Sequence, residues 1–466
     1  MVNNAVFNEL MAIAGWSDGF DEQVAITGHD PVLPTRFKIG EMIAGIHAAR
    51  GVAVSKLWEL KTGRQQQVAI DVRAATATLQ SYVYLKIDGE EQRQQQAPPQ
   101  QRQAYGLGFQ KTRDGRWFYI HGYGRQRIPK LLQCEDDLEA MPDVISRWDS
   151  QELEDAFAEA GLCGAIVRSA DEWLSHPQGA ILQKLPVVEI VKIGDSTPEP
   201  LPSGEQPLSG IRVLDPTIIL AGPTCGRTLA EHGADVLKII SPDRPAGGAF
   251  DMDTGHGKRA AFLDLLKDSD KEKLWSLIRE ADVFSQSYRH GALASKGFYP
   301  EALAEARPGI IYTSVNCYGH EGPWSGRRGW EQLGQVVSGV ADEEGIGAPR
   351  LLPAAVNDFN TGYLAAFGTL VALERRAREG GSYRVRVSLT QSSMLLQRQG
   401  RIPQNEWWGR ERMLPPEEIS SLTVETDTPY GQMTHLAPVL QLSETPARWT
   451  LPAVPMGTHQ PVWLER

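Results

Sequence analysis

Cysteine is scarce in this chain, and long apolar runs are missing from it. Its 466 residues include four cysteines and no CxxC pair; they are Cys134, Cys163, Cys225 and Cys317. This usage fits reduced thiols better than a disulfide framework or a zinc site. No run approaches the ~18 apolar residues of a membrane-spanning helix, and the start, MVNNAVFNELMAIAG, lacks the basic region of a secretion signal. We therefore expect a cytoplasmic protein without a metal site.

An excess of positive charge is also absent. The formal net charge is -11, which argues against a broad surface for DNA, RNA or an anionic membrane. Any phosphate that the protein binds must therefore be bound by a few nearby groups and not by a broad basic surface. The length and the 41% hydrophobic content allow two or three domains with proper cores. These properties favour a soluble globular protein that acts on small molecules.

One stretch of the sequence occurs twice. KIGEMIAGIHAARG (38–51) aligns without a gap with AVNDFNTGYLAAFG (355–368) at a constant offset of 317 positions. At the same offset KTGRQQQVAIDV (61–72) meets REGGSYRVRVSL (378–389), in each case a glycine turn followed by an alternating strand. A repeat of one helix and one strand at this distance is not a solenoid. It suggests two related fragments joined in one polypeptide.

Two polar, proline-bearing segments divide the chain. EEQRQQQAPPQQRQ (90–103) is typical of an exposed insertion loop, and GDSTPEPLPSGEQPLSG (194–210) is typical of a linker. The predicted units are a partial repeat of a helix and strand at 1–90, a small α+β domain at 104–193, the linker at 194–210, a large domain at 211–390, and a wrapping tail that returns to the large domain at 391–466.

Strands and helices alternate after the linker. IRVLD (211–215), the helical AGPTCGRTLAEHGA (221–234) and DVLKII (235–240) form a βαβ unit, and the pattern continues to GIIYTSV (309–315). Such alternation predicts a parallel sheet with helices on both faces. The predicted fold class is α/β: a doubly wound, Rossmann-like, parallel-sheet large domain with a small α+β domain.

Five separated segments resemble, in family order, the large domain of class III CoA-transferases, the formyl-CoA and carnitine CoA-transferase group also called CaiB/BaiF. The five segments are PLSGIRVLDPTIILAGPTCGRTLAEHGADVLKI, GKRAAFLDL, DVFSQSYRHGAL, IIYTSVNCYGHEGPWSGRRGWEQLGQVVSG and NDFNTGYLAAFGTLVALERRAREGGSYRVRVSL. The segment at 148–179 is similar to the small domain of that family, and the segment at 439–459 to its returning C-terminal strand. In the family the small domain follows the large-domain segments, whereas here it precedes them. The chain therefore resembles the tail half of one transferase (about 31–196) fused to the front half of another (about 207–466).

Asp358 matches the catalytic nucleophile of the family that the chain resembles. The resemblance implies an acyl-CoA:carboxylate CoA-transferase that passes through an aspartyl acyl anhydride and an aspartyl-CoA thioester. The pattern around Asp358 predicts the first turn of a helix, where free N–H groups can hold an oxyanion, although such an acid is ordinarily only an N-cap. Glu41 takes this place in the first copy. Its extra methylene would displace the attacking oxygen by about a bond length, so we interpret Glu41 as a relic or a structural acid.

The resemblance also implies where CoA would lie. No permanently bound cofactor is expected, since CoA or acyl-CoA enters as a substrate whose phosphates need cations or helix N-termini. The residues that match CoA-contacting segments of the family are Ala221, Gly222, Pro223, Lys258, Arg259, Tyr288 and Arg289. Without the resemblance, a GKR run is usually a solvated turn, and an aromatic residue after a strand is more often core packing.

Two departures from the family pattern leave alternatives open. The related α-methylacyl-CoA racemases carry Gly-His-Asp where GWEQL (329–333) stands, and Trp330 cannot take a proton from carbon. Nearby His320 is interpreted as a loop histidine. The glycine-rich flap of several family members has no match between 390 and 430, where Trp407, Trp408 and Arg410 either cover the site or pack the tail onto the sheet. The alternatives are a racemase-like isomerase and a catalytically degenerate acyl-CoA-binding protein.

The partners that the resemblance implies are small molecules and a second copy of the chain. An acyl-CoA would serve as donor and a small carboxylic acid as acceptor, and no nucleic acid or membrane is expected. The duplicated half-units make a homodimer our expectation.

Overall fold

The structure of the protein is a computed structural model, and the residues that it describes are 2–16, 19–92, 107–137, 140–244 and 247–465. Most of the predicted insertion loop at 90–103 lies outside these residues.

Strands and helices alternate along most of the described chain. The strands are β1 Val24–Thr27, β2 Val68–Asp71, β3 Lys86–Ile87, β4 Glu90–Glu91, β5 Gly108–Lys111, β6 Trp117–Ile120, β7 Gly164–Ile166, β8 Glu189–Gly194, β9 Arg212–Asp215, β10 Asp235–Ile240, β11 Lys258–Phe262, β12 Val283–Gln286, β13 Ile311–Asn316, β14 Ser382–Ser388, β15 Thr423–Thr428, β16 Gly431–Leu436 and β17 Gln441–Leu442. The α-helices are α1 Ala5–Ala14, α2 Ile39–Thr62, α3 Val72–Ala77, α4 Ile128–Leu132, α5 Met141–Ile145, α6 Ser150–Glu159, α7 Ala170–Ser175, α8 Pro177–Leu182, α9 Ala221–Ala230, α10 Ala249–Thr254, α11 Asp268–Ile278, α12 Pro300–Ala306, α13 Glu331–Ser338, α14 Val340–Glu344, α15 Val356–Glu379, α16 Leu389–Gln397, α17 Gln404–Trp407 and α18 Pro416–Leu422.

The largest sheet has seven strands in the order β11-β10-β9-β12-β13-β14-β8. Its neighbouring strands are parallel except β8, which runs antiparallel to β14. Successive side chains enter opposite cores: Val213 and Val283 pack in the core that includes α9 and α15, whereas Leu214 and Phe284 pack in the core that includes α11 and α12. Helices therefore cover both faces of the sheet, and the predicted α/β fold class is confirmed.

The small α+β unit is built on the sheet β5-β6-β7. Its apolar residues, among them Phe118, Phe157 and Ile166, form a core of their own with α4, α5 and α6. The predicted small domain at 104–193 also included all of β8 but its last residue, whereas β8 lies in the seven-stranded sheet. The reason is pairing: β8 hydrogen-bonds the edge of β14, which would otherwise be open.

The sequence repeat is also a repeat of structure. Helices α2 and α15 each contain 24 residues, and both of their ends are related by the offset of 317. The residues before them have nearly the same backbone angles, with φ -79° and ψ 63° at Lys38 and φ -78° and ψ 59° at Ala355. The two helices pack against each other in the main core.

The two fragments exchange their last strands. In the three-stranded sheet β1-β2-β17, β1 is parallel and β17 antiparallel to β2, which reproduces the order β13-β14-β8. Strand β8 is the last strand of the first fragment but pairs with β14 of the second, whereas β17 belongs to the second fragment and pairs with β2 of the first. The tail thus returns first to the first fragment, and only its end reaches the large sheet, where the His459 N–H donates to the Ala260 carbonyl at 2.8 Å.

Among the described residues, no helix combines the length and the apolar character that crossing a bilayer requires.

Candidate active site

A cavity of about 360 Å³ opens at the carboxyl ends of β9, β12 and β13. This is the edge of a parallel sheet at which ligands usually bind. The residues around it are Tyr123, 218–222, 287–289, Ala292, 315–317, 327–331, Asp358 and Leu389. Of the residues predicted from the sequence, the cavity brings together Asp358, Ala221, Gly222, Tyr288 and Arg289.

Asp358 lies in the first turn of α15, as the pattern of the sequence predicted. Protein atoms surround it closely, yet it stays partly exposed through the cavity. Burial, and then the charge of Glu331, raises the pKa of Asp358 well above its ordinary value. The carboxylate is therefore costly to form in the empty cavity, which makes it a reactive group once formed.

Glu331 is a second buried carboxyl group of the cavity. It accepts hydrogen bonds from Gln335 Nε2 at 2.6 Å and from the backbone N–H of Asn357 at 3.2 Å. Burial raises the pKa of Glu331 to about 7. The charge of Glu331 acts in turn on Asp358, whose pKa it raises further beyond the effect of burial. Glu331 was not predicted from the sequence: it lies in the GWEQL motif, but the motif alone does not show that this acid is buried beside Asp358.

The N-terminus of α9 forms one wall of the cavity. Ala221 and Gly222 occupy its first turn, where backbone N–H groups have no partner within the helix, and the N-cap Leu220 offers no side-chain cap. Ile219 has a φ of 68°, an unusual value for a branched residue, and a Cβ on Gly222 would lie 2.6 Å from the Cβ of Thr217. The tight turn thus brings two N–H donors to the cavity, which suits an oxyanion or a phosphate.

Three residues that match CoA-contacting segments lie away from the cavity. Lys258 is buried in β11, and its Nζ donates to Asp215 Oδ2 and to the Pro223 carbonyl, both at 2.7 Å. The Arg259 guanidinium pairs with both carboxylate oxygens of Asp235, at 2.9 and 3.0 Å. Both cations therefore have internal partners, and Pro223 has no N–H to offer a ligand.

Tyr288 and Arg289 lie where two cavities meet. Arg289 is exposed and forms no ion pair with any described residue, whereas Tyr288 is half-buried. A neighbouring cavity of about 220 Å³ shares Tyr288, Arg289 and Asn316 with the first, and Arg384 and Arg386 line its far side. Arg386 pairs with Glu321 at 3.0 Å and Arg384 lies 3.8 Å from Glu301, so Arg289 is the arginine shared by both cavities that has no ion-pair partner among the described residues.

Histidine is missing from the residues that line the Asp358 cavity, as far as the described chain extends. Trp330 forms part of the wall, and behind it His121 stacks on the indole with ring centroids 4.9 Å apart. Burial lowers the pKa of His121 to about 4. His320 lies in the neighbouring cavity with Nε2 3.2 Å from the Val387 carbonyl, and burial lowers its pKa to about 3. The histidine base of a racemase is thus not found beside Asp358.

The tail does not line the Asp358 cavity, whose lining residues end at Leu389. Trp407 is 1% exposed and packs against the Arg36 and Arg350 guanidinium groups, whose centres are 5.9 and 5.7 Å from its ring. Trp408 and Arg410 follow it at the surface. In this structure the aromatic segment packs the tail rather than covering the nucleophile.

Glu331 and Asp358 each lie in the first turn of a helix and line a cavity that Arg289 also lines. Such a site can act on an anionic ligand. The chain belongs to CoA-transferase family III, whose profile matches residues 19–189 and 208–414. The predicted family and class of enzyme are thereby confirmed.

Two fungal relatives match most of the chain. It is 31% identical over 427 residues to the acetyl-coenzyme A transferase nodX of Hypoxylon pulicicidum, which covers 81% of this chain and 72% of that protein. It is 30% identical over 412 residues to an acyl-CoA transferase of Gibberella moniliformis, covering 78% and 71%. A match of this extent includes parts of both fragments of this chain.

Bacterial relatives match a smaller part. A formyl-CoA:oxalate CoA-transferase of Escherichia coli is 34% identical over 200 residues, or 39% of this chain and 47% of that protein. Among solved structures, a CAIB/BAIF family protein from Brucella suis is 30% identical with a TM-score of 0.39, covering 42% of this chain and 56% of that one. A hypothetical protein from Mycobacterium tuberculosis is 30% identical with a TM-score of 0.40, covering 41% and 57%. The chain thus spans little more than half the length of these solved proteins.

Proposed function

We propose that the chain transfers CoA from an acyl-CoA donor to a small carboxylic acid through covalent intermediates on Asp358. The observation that carries the proposal is the position of Asp358, in the first turn of α15 at a cavity that the N-terminus of α9 also borders. A carboxylate there can reach a thioester carbonyl, while two free N–H groups can hold the oxyanion.

The proposed reaction begins with attack of the Asp358 carboxylate on the thioester carbon. The C–S bond breaks, the CoA thiolate leaves, and an acyl anhydride remains on Asp358. The thiolate then attacks the aspartyl carbonyl, which releases the donor acid and forms an aspartyl-CoA thioester. The acceptor carboxylate attacks that thioester, and the thiolate finally takes the acceptor acyl group from the resulting anhydride. No net proton is gained or lost in this sequence.

Four residues hold the substrates in this proposal. The N–H groups of Ala221 and Gly222 face the developing oxyanions, and Arg289, with Tyr288 beside it, receives the phosphates and base of CoA. This proposal gives no contact with CoA to Pro223, Lys258 or Arg259. Lys258 and Arg259 have carboxylate partners within the protein, and Pro223 has no N–H while its carbonyl accepts from Lys258.

Glu331 has the role of a proton acceptor for its neighbour. Because the two carboxyls do not ionise together, protonation of Glu331 stabilises the carboxylate of Asp358. Its hydrogen bond from the Asn357 N–H couples this proton to the turn that bears Asp358. Glu331 acts here by positioning and charge, without contacting the thioester.

The assembly and compartment are part of the same proposal. We infer a homodimer because duplicated half-units offer two-fold-related surfaces, which light scattering on the purified protein would test. We infer the cytoplasm because all four cysteines are free thiols.

The experiment that tests the reaction is hydroxylamine trapping followed by mass spectrometry. The protein is incubated with acetyl-CoA or formyl-CoA, hydroxylamine is added, and peptides are searched for a hydroxamate on Asp358. A matched pair of variants, Asp358→Asn and Glu41→Gln, separates the two copies of the acid. We expect the adduct in the native protein and in Glu41→Gln, and its loss in Asp358→Asn.

Two outcomes would overturn the proposal. An adduct that persists in Asp358→Asn would place the nucleophile elsewhere. CoA binding with no adduct from any donor, and no transfer to oxalate or acetate, would favour a binding protein. Circular dichroism of Asp358→Asn must match the native protein, so that loss of the adduct reports chemistry rather than unfolding.

A further inference from the structure

A separate cavity of about 310 Å³ lies beside the tail. Its residues come from three segments, which lie before α2, before α15, and at and after the end of α17; they are Pro34, Arg350, Leu351, Pro353, Trp407, Trp408, Gly409, Arg410 and Arg412. None of them lines the Asp358 cavity. Its volume is at the lower end of the ~300–1,000 Å³ typical of small-molecule sites.

The charge of this cavity is one-sided. Arg350 has a carboxylate partner, since its guanidinium lies 2.5 Å from the buried Glu344. Arg410 and Arg412 are exposed and form no ion pair with the described residues, and no described Asp or Glu lines the cavity. Arg410 Nε donates only to the Glu406 carbonyl, at 2.9 Å. Two guanidinium groups are therefore available to an anion.

The walls of the cavity are apolar and aromatic. Leu351 and Pro353 lie on one side, and Trp408, 57% exposed, lies on the other. The exposed indole of Trp408 offers a face for an aromatic or acyl body.

A buried donor in the same cavity has no partner. Trp407 is 1% exposed, yet its Nε1–H has no hydrogen-bond acceptor among the described residues. A buried N–H left unpaired costs ~1–3 kcal/mol, so such groups normally find an acceptor. The nitrogen itself is inaccessible, so a ligand in the cavity would contact other atoms of Trp407.

We propose that this cavity binds a small organic carboxylate whose apolar body rests against Trp408, Leu351 and Pro353. Arg410 and Arg412, which have no ion-pair partner among the described residues, bind the carboxylate. The apolar walls favour an organic acid over inorganic phosphate, although both share the anionic chemistry that arginine recognises.

Hydrogen bonds connect this cavity to Glu331. Between the lining residues Leu351 and Pro353, the Leu352 N–H donates to Gln335 Oε1 at 2.8 Å. The Gln335 amide in turn donates to Glu331 Oε1 at 2.6 Å. A ligand that contacts Leu351 and Pro353 is therefore linked to Glu331 through two hydrogen bonds, one from Leu352 to Gln335 and one from Gln335 to Glu331.

The test uses fluorine NMR of the full chain containing fluorotryptophan. The resonances of Trp407 and Trp408 are assigned with single Trp→Phe variants, and phenylacetate and inorganic phosphate are titrated separately. We expect phenylacetate to shift both resonances saturably, and phosphate to shift them much less. The two reporters lie in this cavity, so binding of phenylacetate beside Asp358 does not produce the signal.

Variants decide which groups bind the probe. Arg410→Gln and Arg412→Gln should each weaken phenylacetate binding about tenfold, the loss expected for one charge-assisted contact. Arg279→Gln, at an exposed arginine outside the cavity, is the control and should bind as the native protein does. The proposal is overturned by an absence of saturable shifts, by equal binding in all three variants, or by a response to phosphate alone.

Discussion

The carboxyl group of Glu331 faces the same cavity as that of Asp358, and its charge adds to the burial that raises the pKa of Asp358. The backbone connects them further, since Glu331 accepts the N–H of Asn357, the residue before Asp358. Loss of the Glu331 carboxyl should therefore change the titration of Asp358.

Replacing Glu331 with Gln should move the pH dependence of transfer. The Asp358 carboxylate is the attacking form, so activity rises as pH passes upward through its raised pKa. Removing the neighbouring charge lowers that pKa, and the acidic limb of the kcat profile should shift to lower pH. The shift should be partial, because burial is the larger cause and remains.

Glu41→Gln is the matched control for this profile, because it makes the same change at the repeated position. Its acidic limb should coincide with that of the native protein. An unmoved limb in Glu331→Gln would show that the charge of Glu331 does not reach Asp358.

The same substitution should change the pH dependence of stability. Burial raises the pKa of Glu331 from 4.5 to about 7, so its protonated form suits the folded state. Its contribution to stability is full below pH 4.5 and is lost as the pH rises through 7. Relative to Glu331→Gln, the native protein should lose on the order of 3 kcal/mol across this interval, an upper bound from ~1.36 kcal/mol per pKa unit.

Urea unfolding of both proteins at a series of pH values measures this difference, and comparing the two cancels the titration of other groups. A difference in unfolding free energy that stays constant from pH 4 to pH 8 would contradict a raised pKa at Glu331.

Arg289 and Arg259 should respond in opposite ways to replacement by Gln. Arg289 is exposed at the cavity and lacks an ion-pair partner among the described residues, so Arg289→Gln should raise KM for acyl-CoA about tenfold with little effect on stability. Arg259 is buried against Asp235, so Arg259→Gln should cost ~2 kcal/mol of unfolding free energy and leave KM unchanged. Steady-state kinetics and thermal unfolding of both variants measure these effects. A raised KM in Arg259→Gln at full stability would restore its predicted contact with CoA.

Much of the large domain could be predicted from the sequence because its local signals agree. DVLKII at 235–240 forms β10 to the residue, and the repeated helices end at their glycine turns. Apolar runs bounded by glycine and proline give such elements without reference to the rest of the fold.

Other features depend on contacts between distant segments and could not be predicted. The exchange of β8 and β17 depends on which edge each strand meets, and a strand sequence does not encode its partner. The sequence does not show that Lys258 of β11 lies beside Asp215 at the end of β9, where the two side chains form an ion pair. The raised pKa of Glu331 likewise follows from burial by other segments.

The structural repeat makes a prediction of its own at two equivalent glycines. A Cβ on Gly51 would lie 2.4 Å from Val68 Cγ1, and one on Gly368 would lie 2.6 Å from Val385 Cγ1. Both close approaches let a long helix pack on its own strand, so either Gly→Ala change should cost ~1–3 kcal/mol by overpacking. Gly326→Ala, with no atom within 4 Å of the added methyl, is the control. Adding Val68→Ala to Gly51→Ala should recover part of the loss in a double-mutant cycle measured by urea unfolding, because Val68→Ala removes the Cγ1 atom that the new methyl group would meet. Additive losses, or a cost at only one of the two glycines, would mean that the two helices do not meet their strands in the same way.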